Sequence, residues 1–297
     1  MQTDKSDLSI IVPVYNEEQV LPSTAKQIID FSLEKGWAVI FIDDGSRDAS
    51  GELLDALDKY PNVKIFHHKV NRGYGGAIKT GIRNANTPYL VTIDADGQHN
   101  LEEIDTIYNL ALKENADLIV GNRGKVGDVN AYRTLGKRII RTFARLLMPL
   151  PIQDLNSGFK LYRTELAKKY IKICPDTMSF SDVITLVFIK QRNLVLEHNI
   201  TIQPRIAGKS TINTYTAIET ILEILNIAVL FNPLRIFLPI SIFCISLGLI
   251  WGITILLVVG RGVSVGAMLA IVTGVIFFVL GLLANQISAL RMEQLQD

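Results

Sequence analysis

The sequence predicts a doubly wound, mixed but mostly parallel α/β sheet, followed by a pair of membrane-spanning helices. Three observations carry that expectation. Short apolar runs alternate with helix-length stretches through the N-terminal part of the chain. Acidic and small polar residues gather just after those runs. Of 30 basic and 29 acidic residues, only Arg261 lies between Ile236 and Leu290, so the remainder has the charge density of an ordinary globular domain.

The apolar runs are Leu8–Val14, Ala38–Ile42, Val63–Phe66, Tyr89–Ile93 and Leu118–Val120. Each has the length and β-branched content of a strand. Between them Glu17–Lys35, Gly51–Tyr60, Gly75–Ala85 and Leu101–Glu114 have the length of helices. This alternation gives a parallel sheet covered on both faces. Val195–Ile202 reads as a further strand, and a helix through Val187 precedes it.

Towards the C-terminus, Ile218, Ile221, Leu222, Leu225 and Val229 form one stripe of a helix over Tyr215–Leu230. Such a helix suits a membrane interface. Ile236–Val259 and Val263–Ala284 contain no charge. At 1.5 Å per residue they reach roughly 36 and 33 Å, enough for a hydrocarbon core of about 30 Å. Only Gly260, Arg261 and Gly262 separate them, which predicts a tight hairpin. The expected organisation is a body at 1–212, an interfacial segment at 213–233 and an anchor at 234–297. Charge bias favours the body lying on the cytoplasmic side of a cell membrane crossed twice.

Composition excludes several classes. A net charge of +1 gives no global argument for nucleic acid. Cys174 and Cys244 cannot make a disulfide framework or a cysteine-rich metal site. The start MQTDKSDLSI lacks the basic and apolar stretches of a signal peptide, so export of the body is not expected. Gly248, Gly252, Gly266, Gly274 and Gly281 permit close helix packing in the spans, including self-association.

In a doubly wound sheet, ligands bind at the carboxyl ends of the strands. The residues there are Pro13-Val-Tyr-Asn-Glu17, Asp43-Asp-Gly-Ser46, Asn71-Arg-Gly73 and Asp94-Ala-Asp-Gly-Gln98. Asp94, Asp96 and Gln98 offer oxygen ligands of the kind that hard divalent cations prefer. The plain alternative is a solvated turn with an aspartate cap before Leu101. A carboxylate at Asp43–Asp44 suits a base edge or ribose hydroxyls, whereas Ser46 or Asp48 suits a helix cap. The glycines of NRGYGGAIK match neither a P-loop nor a dinucleotide-binding fingerprint.

IIVPVYNEE, FIDDGSRD, NRGYGGAIKTGI, TIDADGQH and DLNSGFKLY, in this order and spacing, resemble the family 2 glycosyltransferases of GT-A fold. With two C-terminal spans the resemblance narrows to the polyprenyl-phosphate group, which includes dolichyl-phosphate mannose synthase and undecaprenyl-phosphate glucosyltransferase. It implies a membrane-bound, inverting hexosyltransferase that moves one sugar from a nucleotide-diphosphate donor to a polyprenyl phosphate. It also implies that Pro13, Tyr15, Glu17 and Asp44 line the nucleotide pocket, and that Asp94, Asp96 and Gln98 hold Mg²⁺ or Mn²⁺ against the diphosphate.

An acceptor monophosphate with a second pKa of about 6 is largely dianionic at neutral pH, so it needs cationic positioning more than a base. Between Arg123 and Arg145 lie seven basic residues and one acid, Asp128. Lys137, Arg141 and Arg145 share one face of an amphipathic helix, expected to lie on anionic headgroups. Arg123 and Arg133 are the expected phosphate contacts. Arg205 and Ser210 match the family's acceptor-phosphate segment, with Thr211 where the family has lysine.

Asp154 and Asp182 could each face the reacting phosphate or hold an arginine. Asp182 also suits a helix cap, so Asp154 and Asp96 are the expected catalytic carboxylates. His67, His68, His99 and His198 lack metal-ligand spacing and are expected to be structural. Two other functions compete. A processive polysaccharide synthase is disfavoured because no Q-x-x-R-W follows Asp182 and two spans are few for a channel. A catalytically silent binding subunit is disfavoured by the presence of Asp94, Asp96, Gln98 and Asp154.

Overall fold

The computed structural model describes residues 6–124, 152–203, 229–260 and 264–293. The chain divides into two compact units, Met1–Gly127 with Pro151–Thr211, and Asp128–Leu150 with Ile212–Asp297.

The first unit is built on β1 (Leu8–Val14), α1 (Leu21–Lys35), β2 (Ala38–Asp43), α2 (Ser50–Asp55), β3 (Val63–His67), α3 (Tyr74–Asn84), β4 (Tyr89–Thr92), α4 (Glu102–Glu114) and β5 (Leu118–Asn122). It continues with β6 (Lys160–Arg163), α5 (Thr164–Tyr170), α6 (Phe180–Lys190) and β7 (Val195–Asn199). The strands form one sheet in the order β3-β2-β1-β4-β6-β5-β7. All pairings are parallel except those of β6, which runs antiparallel to both β4 and β5.

β1 lies between β2 and β4, and its apolar run is buried on both faces, as a central parallel strand requires. Leu8, Ile10, Val12 and Val14 join Leu21, Ala25, Ile28 and Ile29 of α1 and Ile104 and Ile107 of α4 in one core. Ile11 faces the other way, towards α3. There Gly81 lets helix and sheet close up, since a Cβ on it would stand 2.4 Å from Ile11 Cγ2. The chain winds outward from β1 to β3 and returns across α3 to β4. The carboxyl ends of β1 and β4 therefore form the switch point at which such sheets open a crevice.

Several elements differ in extent from their sequence expectation. α1 begins at Leu21, because the Glu17 and Glu18 amides hydrogen-bond to Ser50 Oγ and Asp48 Oδ2 of the β2 loop. It stops at Lys35, where Gly36 takes a left-handed conformation (φ 69°) and caps it. The strand expected at Val195–Ile202 ends at Asn199, and Ile202 instead makes an isolated antiparallel bridge to His99. β6 and α5 have no counterpart in the sequence reading. β6 has only four residues with a charge at each end, so neither length nor alternation marks it.

In the second unit, α7 (Leu234–Val259) and α8 (Val265–Glu293) are both long and apolar enough to cross a membrane. They pack antiparallel. A Cβ on Gly248, Gly266, Gly274 or Gly281 would stand within 3 Å of Ile271, Trp251, Ile245 or Phe237 of the opposite helix. These four glycines are thus used inside the hairpin. The interfacial segment expected at 213–233 lies largely outside the described residues.

Candidate active site

The loops after β1 and β2 are stitched together by reciprocal hydrogen bonds. The Asn16 amide donates to Ser46 Oγ at 3.0 Å, and the Arg47 amide donates back to Asn16 Oδ1 at 2.8 Å. The Ala49 amide donates to Glu18 Oε2 at 3.0 Å. Asn16 takes a left-handed conformation (φ 53°) to make this turn, which leaves Tyr15 exposed beside it. Asp48 also accepts from the Ser50 amide at 3.0 Å. The capping expected of the DDGSRD segment thus falls to Asp48, while Ser46 joins the loops.

Asp43 and Asp44 are buried. Asp43 Oδ1 accepts from the Ser46 amide at 2.9 Å, and Oδ2 lies 2.9 Å from His67 Nδ1. Burial works to raise the Asp43 carboxyl, but hydrogen bonds from Ser46 and His67 outweigh it and hold the group below the ordinary carboxylate range. The Arg72 amide and His68 Nδ1 converge on Asp44 Oδ1 at 2.9 and 2.7 Å, and His68 Nε2 lies 2.8 Å from Thr80 Oγ1. His67 and His68 therefore brace the two aspartates, as structural histidines.

Gly73 and Gly75 of NRGYGGAIK serve close packing. A Cβ on either would stand 2.5–2.6 Å from the Asp176 or Pro175 carbonyl. Lys79 of the same segment pairs with Asp176 at 2.6 Å.

After β4, the Asp94 side chain remains 39% exposed and lies 3.5 Å from His99 Nε2. Asp96 is only 7% exposed and accepts from the Gln98 amide at 3.1 Å across a turn that Gly97 makes at φ 73°. Gln98 Nε2 donates to the Gln203 carbonyl at 3.4 Å, so Oε1 is the atom it could offer to a cation. α4 is not capped by either aspartate, because Asn100 Oδ1 takes the Glu102 amide at 3.2 Å. Asp94 is therefore free of the structural duty that the plain alternative would give it. Among the described residues no three His, Cys, Asp or Glu side chains converge as a metal cage. A cation here would take one or two carboxylates from the chain and the rest from a ligand or water, as suits Mg²⁺.

The DLNSGFK loop closes against the same edge. Thr92 Oγ1 donates to the Gly158 carbonyl at 2.6 Å. A Cβ on Gly158 would stand 2.8 Å from Asp94 Oδ2 and 3.1 Å from Tyr74 Oη, so a larger residue there would push the Asp94 carboxylate aside. Asp154 takes Arg123 Nε and Nη2 at 2.7 and 2.9 Å, and the Arg123 amide at 3.2 Å. The two hydrogen bonds to Asp154 lead the effects that raise the Arg123 pKa, over the cost of burial and with help from Asp94 and Asp182. Burial opposes ionisation of Asp154, yet Arg123 prevails and holds its carboxyl low. A carboxylate so held is a weak base and a firm bracket for the guanidinium. Asp182 lies in the first turn of α6, with Ser179 at the capping position.

The structure thus brings Asp94, Arg123, Asp154 and Asp182 into one electrostatic neighbourhood, with Pro13 near the end of β1 and Tyr15, Glu17 and Asp44 on the loops after β1 and β2. Arg133, Arg205 and Ser210 lie outside the described residues, as do Lys137, Arg141 and Arg145. Sequence reasoning missed two members, the half-buried Tyr74 and the fully buried Lys160. A lysine inside the apolar run Phe159–Tyr162 is the signal that marked the second.

The Glycosyl transferase family 2 model matches residues 9–171, more than half of the chain. The chain belongs to glycosyl transferase family 2. A second model, the GtrB C-terminal hairpin, matches residues 232–290, which contain most of α7 and α8. Among relatives of this family 2 chain is a dolichyl-phosphate beta-glucosyltransferase of Dictyostelium discoideum. It is 32% identical over 185 residues, covering 56% of this chain and 57% of that one. A polyprenol monophosphomannose synthase of Mycolicibacterium smegmatis is 29% identical over 69% of this chain and 80% of its own length. An undecaprenyl-phosphate 4-deoxy-4-formamido-L-arabinose transferase of Pectobacterium atrosepticum is 28% identical over 64% and 59%. The family 2 chain spans a little over half the length of the first of these relatives. Of solved structures, the glucosyl-3-phosphoglycerate synthase of Mycobacterium tuberculosis with Mn²⁺, UDP and phosphoglyceric acid superposes with a TM-score of 0.58. The identity is 17%, over 76% of this chain and 79% of that one, a likeness of fold.

Proposed function

We propose that this chain moves a single sugar from a UDP- or GDP-linked donor to a polyprenyl phosphate, dolichyl or undecaprenyl, at the cytoplasmic face of a membrane. The observation that carries this reading is the exposed strand-end carboxylate of Asp94 beside an arginine clamped by Asp154. The first suits a cation and a diphosphate, and the second suits a phosphate acceptor. Relatives named for dolichyl, undecaprenyl and polyprenol phosphate support the acceptor class. Two helices of spanning length suit a lipid substrate.

In this reading Pro13, Tyr15, Glu17 and Asp44 receive the nucleotide. Asp94, Asp96 and Gln98 would hold Mg²⁺ or Mn²⁺, which when bound would supply Lewis-acid stabilisation of a leaving diphosphate. Arg123, Arg133, Arg205 and Ser210 hold the acceptor phosphate. One acceptor oxygen attacks the anomeric carbon as the bond to the diphosphate breaks, with inversion. Asp154 keeps Arg123 aimed at the acceptor. No strong base is required, because the phosphate is already largely dianionic at pH 7, its second pKa being about 6.

The test is a panel of UDP- and GDP-sugars offered with polyprenyl phosphate and either metal, the lipid product being identified by mass. A lipid carrying one sugar, formed only with metal, is the expected result. A polymer, or no lipid product from any donor, overturns the reading.

A further inference from the structure

Lys160 opens β6, and because β6 runs antiparallel, its first residue lies at the carboxyl ends of β4 and β5. It is paired with Thr92 on one side and Val120 on the other. Asp94 follows Thr92 by two residues, and Arg123 follows Val120 by three. The side chain points inward and is 0% exposed. Its ammonium donates to the Leu155 carbonyl at 2.7 Å and to the Ser181 carbonyl. Leu155 adjoins Asp154, and Ser181 adjoins Asp182. One buried cation therefore ties the turn that carries the arginine bracket to the first turn of α6.

We propose that Lys160 is a positioning residue, whose buried ammonium fixes the Asp154 turn against α6 and thereby sets the aim of Arg123. The charged groups around it are Asp182 on α6, Asp154 on the turn and Arg123 after β5, with the Cys174 thiol after α5. Burial pushes that thiol up to about 12, so it stays neutral. The two carboxylates attract the ammonium and Arg123 repels it. Burial drives Lys160 down to about 7 against the pull of Asp182 and Asp154. Below about pH 7 the ammonium is charged and grips both turns. Above it the amine keeps two N–H donors but loses the attraction of the carboxylates.

The activity half of the test rests on the transfer reading, and the exchange half does not. In Lys160→Met, of similar volume, amide hydrogen exchange at residues 154–158 and 180–183 is expected to quicken at least about tenfold while the core strands stay protected. The acceptor KM is expected to rise about tenfold, with UDP or GDP affinity unchanged within about twofold. In an Arg123→Met background the same change is expected to add nothing. The unaltered protein is expected to show a rise in acceptor KM between about pH 6.5 and 8, as Lys160 loses its proton near 7, and that rise should vanish in the variant.

If Lys160→Met does not fold, Lys160→Gln keeps two donors without the charge, and the same measurements apply to it. Unchanged exchange in the folded variant overturns the proposal whether or not any sugar is transferred. Equal loss with and without Arg123 also overturns it. An unaltered protein that transfers no sugar sinks the transfer reading alone, because the exchange result still stands.

Discussion

At the scale of single residues, the carboxylates divide by what already occupies them. Asp43 and Asp44 are taken up by amides and histidines, and Asp154 by Arg123, whereas Asp94 keeps an exposed side chain. Asp96→Ala is expected to abolish sugar transfer to lipid phosphate while leaving the thermal midpoint within a few degrees, since Asp96 supports a turn and belongs to no apolar core cluster. Full activity in that variant, or in the unaltered protein with excess chelator, would sink the metal assignment. Asp154→Asn is expected to lower the unfolding free energy by about 2 kcal/mol, the worth of charge-assisted hydrogen bonds, as read by denaturant titration. Because the folded Asp154 pKa lies below its unfolded value of about 3.9, the pair's contribution is complete above that pH and fades as pH falls through the folded value. The stability gap between Asn variant and parent should therefore be constant from about pH 5 to 6, below the titration of Lys160 near 7, and close below about pH 4. The type of each of these residues is visible in DADGQH and DLNSGFK. Which of them is free to bind is not, because that depends on partners some thirty residues away, such as Arg123 for Asp154.

At the scale of elements, glycine decides how closely pieces meet. Gly158→Ala would drive a methyl group into Asp94 and Tyr74, so the expected outcome is a folded protein with a weakened metal requirement curve, seen as a rise of about tenfold in the Mn²⁺ or Mg²⁺ needed for half-maximal activity. In the hairpin, a Cβ on Gly274 would stand 2.5 Å from Ile245 Cγ1 and 2.9 Å from the Ser241 carbonyl. Gly274→Val is expected to cost about 1–3 kcal/mol by overpacking, measured as a lowered thermal midpoint in detergent. These contacts also bear on self-association. Four of the span glycines are taken up within one chain, whereas a Cβ on Gly252 would meet only Ala267, at 3.4 Å. The elements themselves were largely legible, since buried parallel strands are continuous apolar runs. β6 escaped notice because its burial comes from its place between β4 and β5, not from its own pattern.

At the scale of the whole molecule, α7 and α8 pack antiparallel, so the end of α8 lies back beside the start of α7, and a pair of spans so arranged would return the chain to the side from which it entered. With the native Cys174 buried, a membrane-impermeant thiol reagent is expected to label Arg261→Cys in intact cells and Lys59→Cys only after lysis. The reverse pattern would refute the cytoplasmic placing. By itself the sequence determined the alternation of strands and helices, the uncharged hairpin and the acidic residues at the strand ends, because these are local consequences of apolar period and residue type. Only the tertiary structure decided that β6 inserts antiparallel between β4 and β5, and that its loop delivers Asp154 and Gly158 to the Asp94 edge. It alone also decided that Lys160 lies buried beneath them. Those facts depend on which distant segments hydrogen-bond to one another, and the solvation each charge loses in doing so is set by the assembled fold and not by its neighbours in the chain.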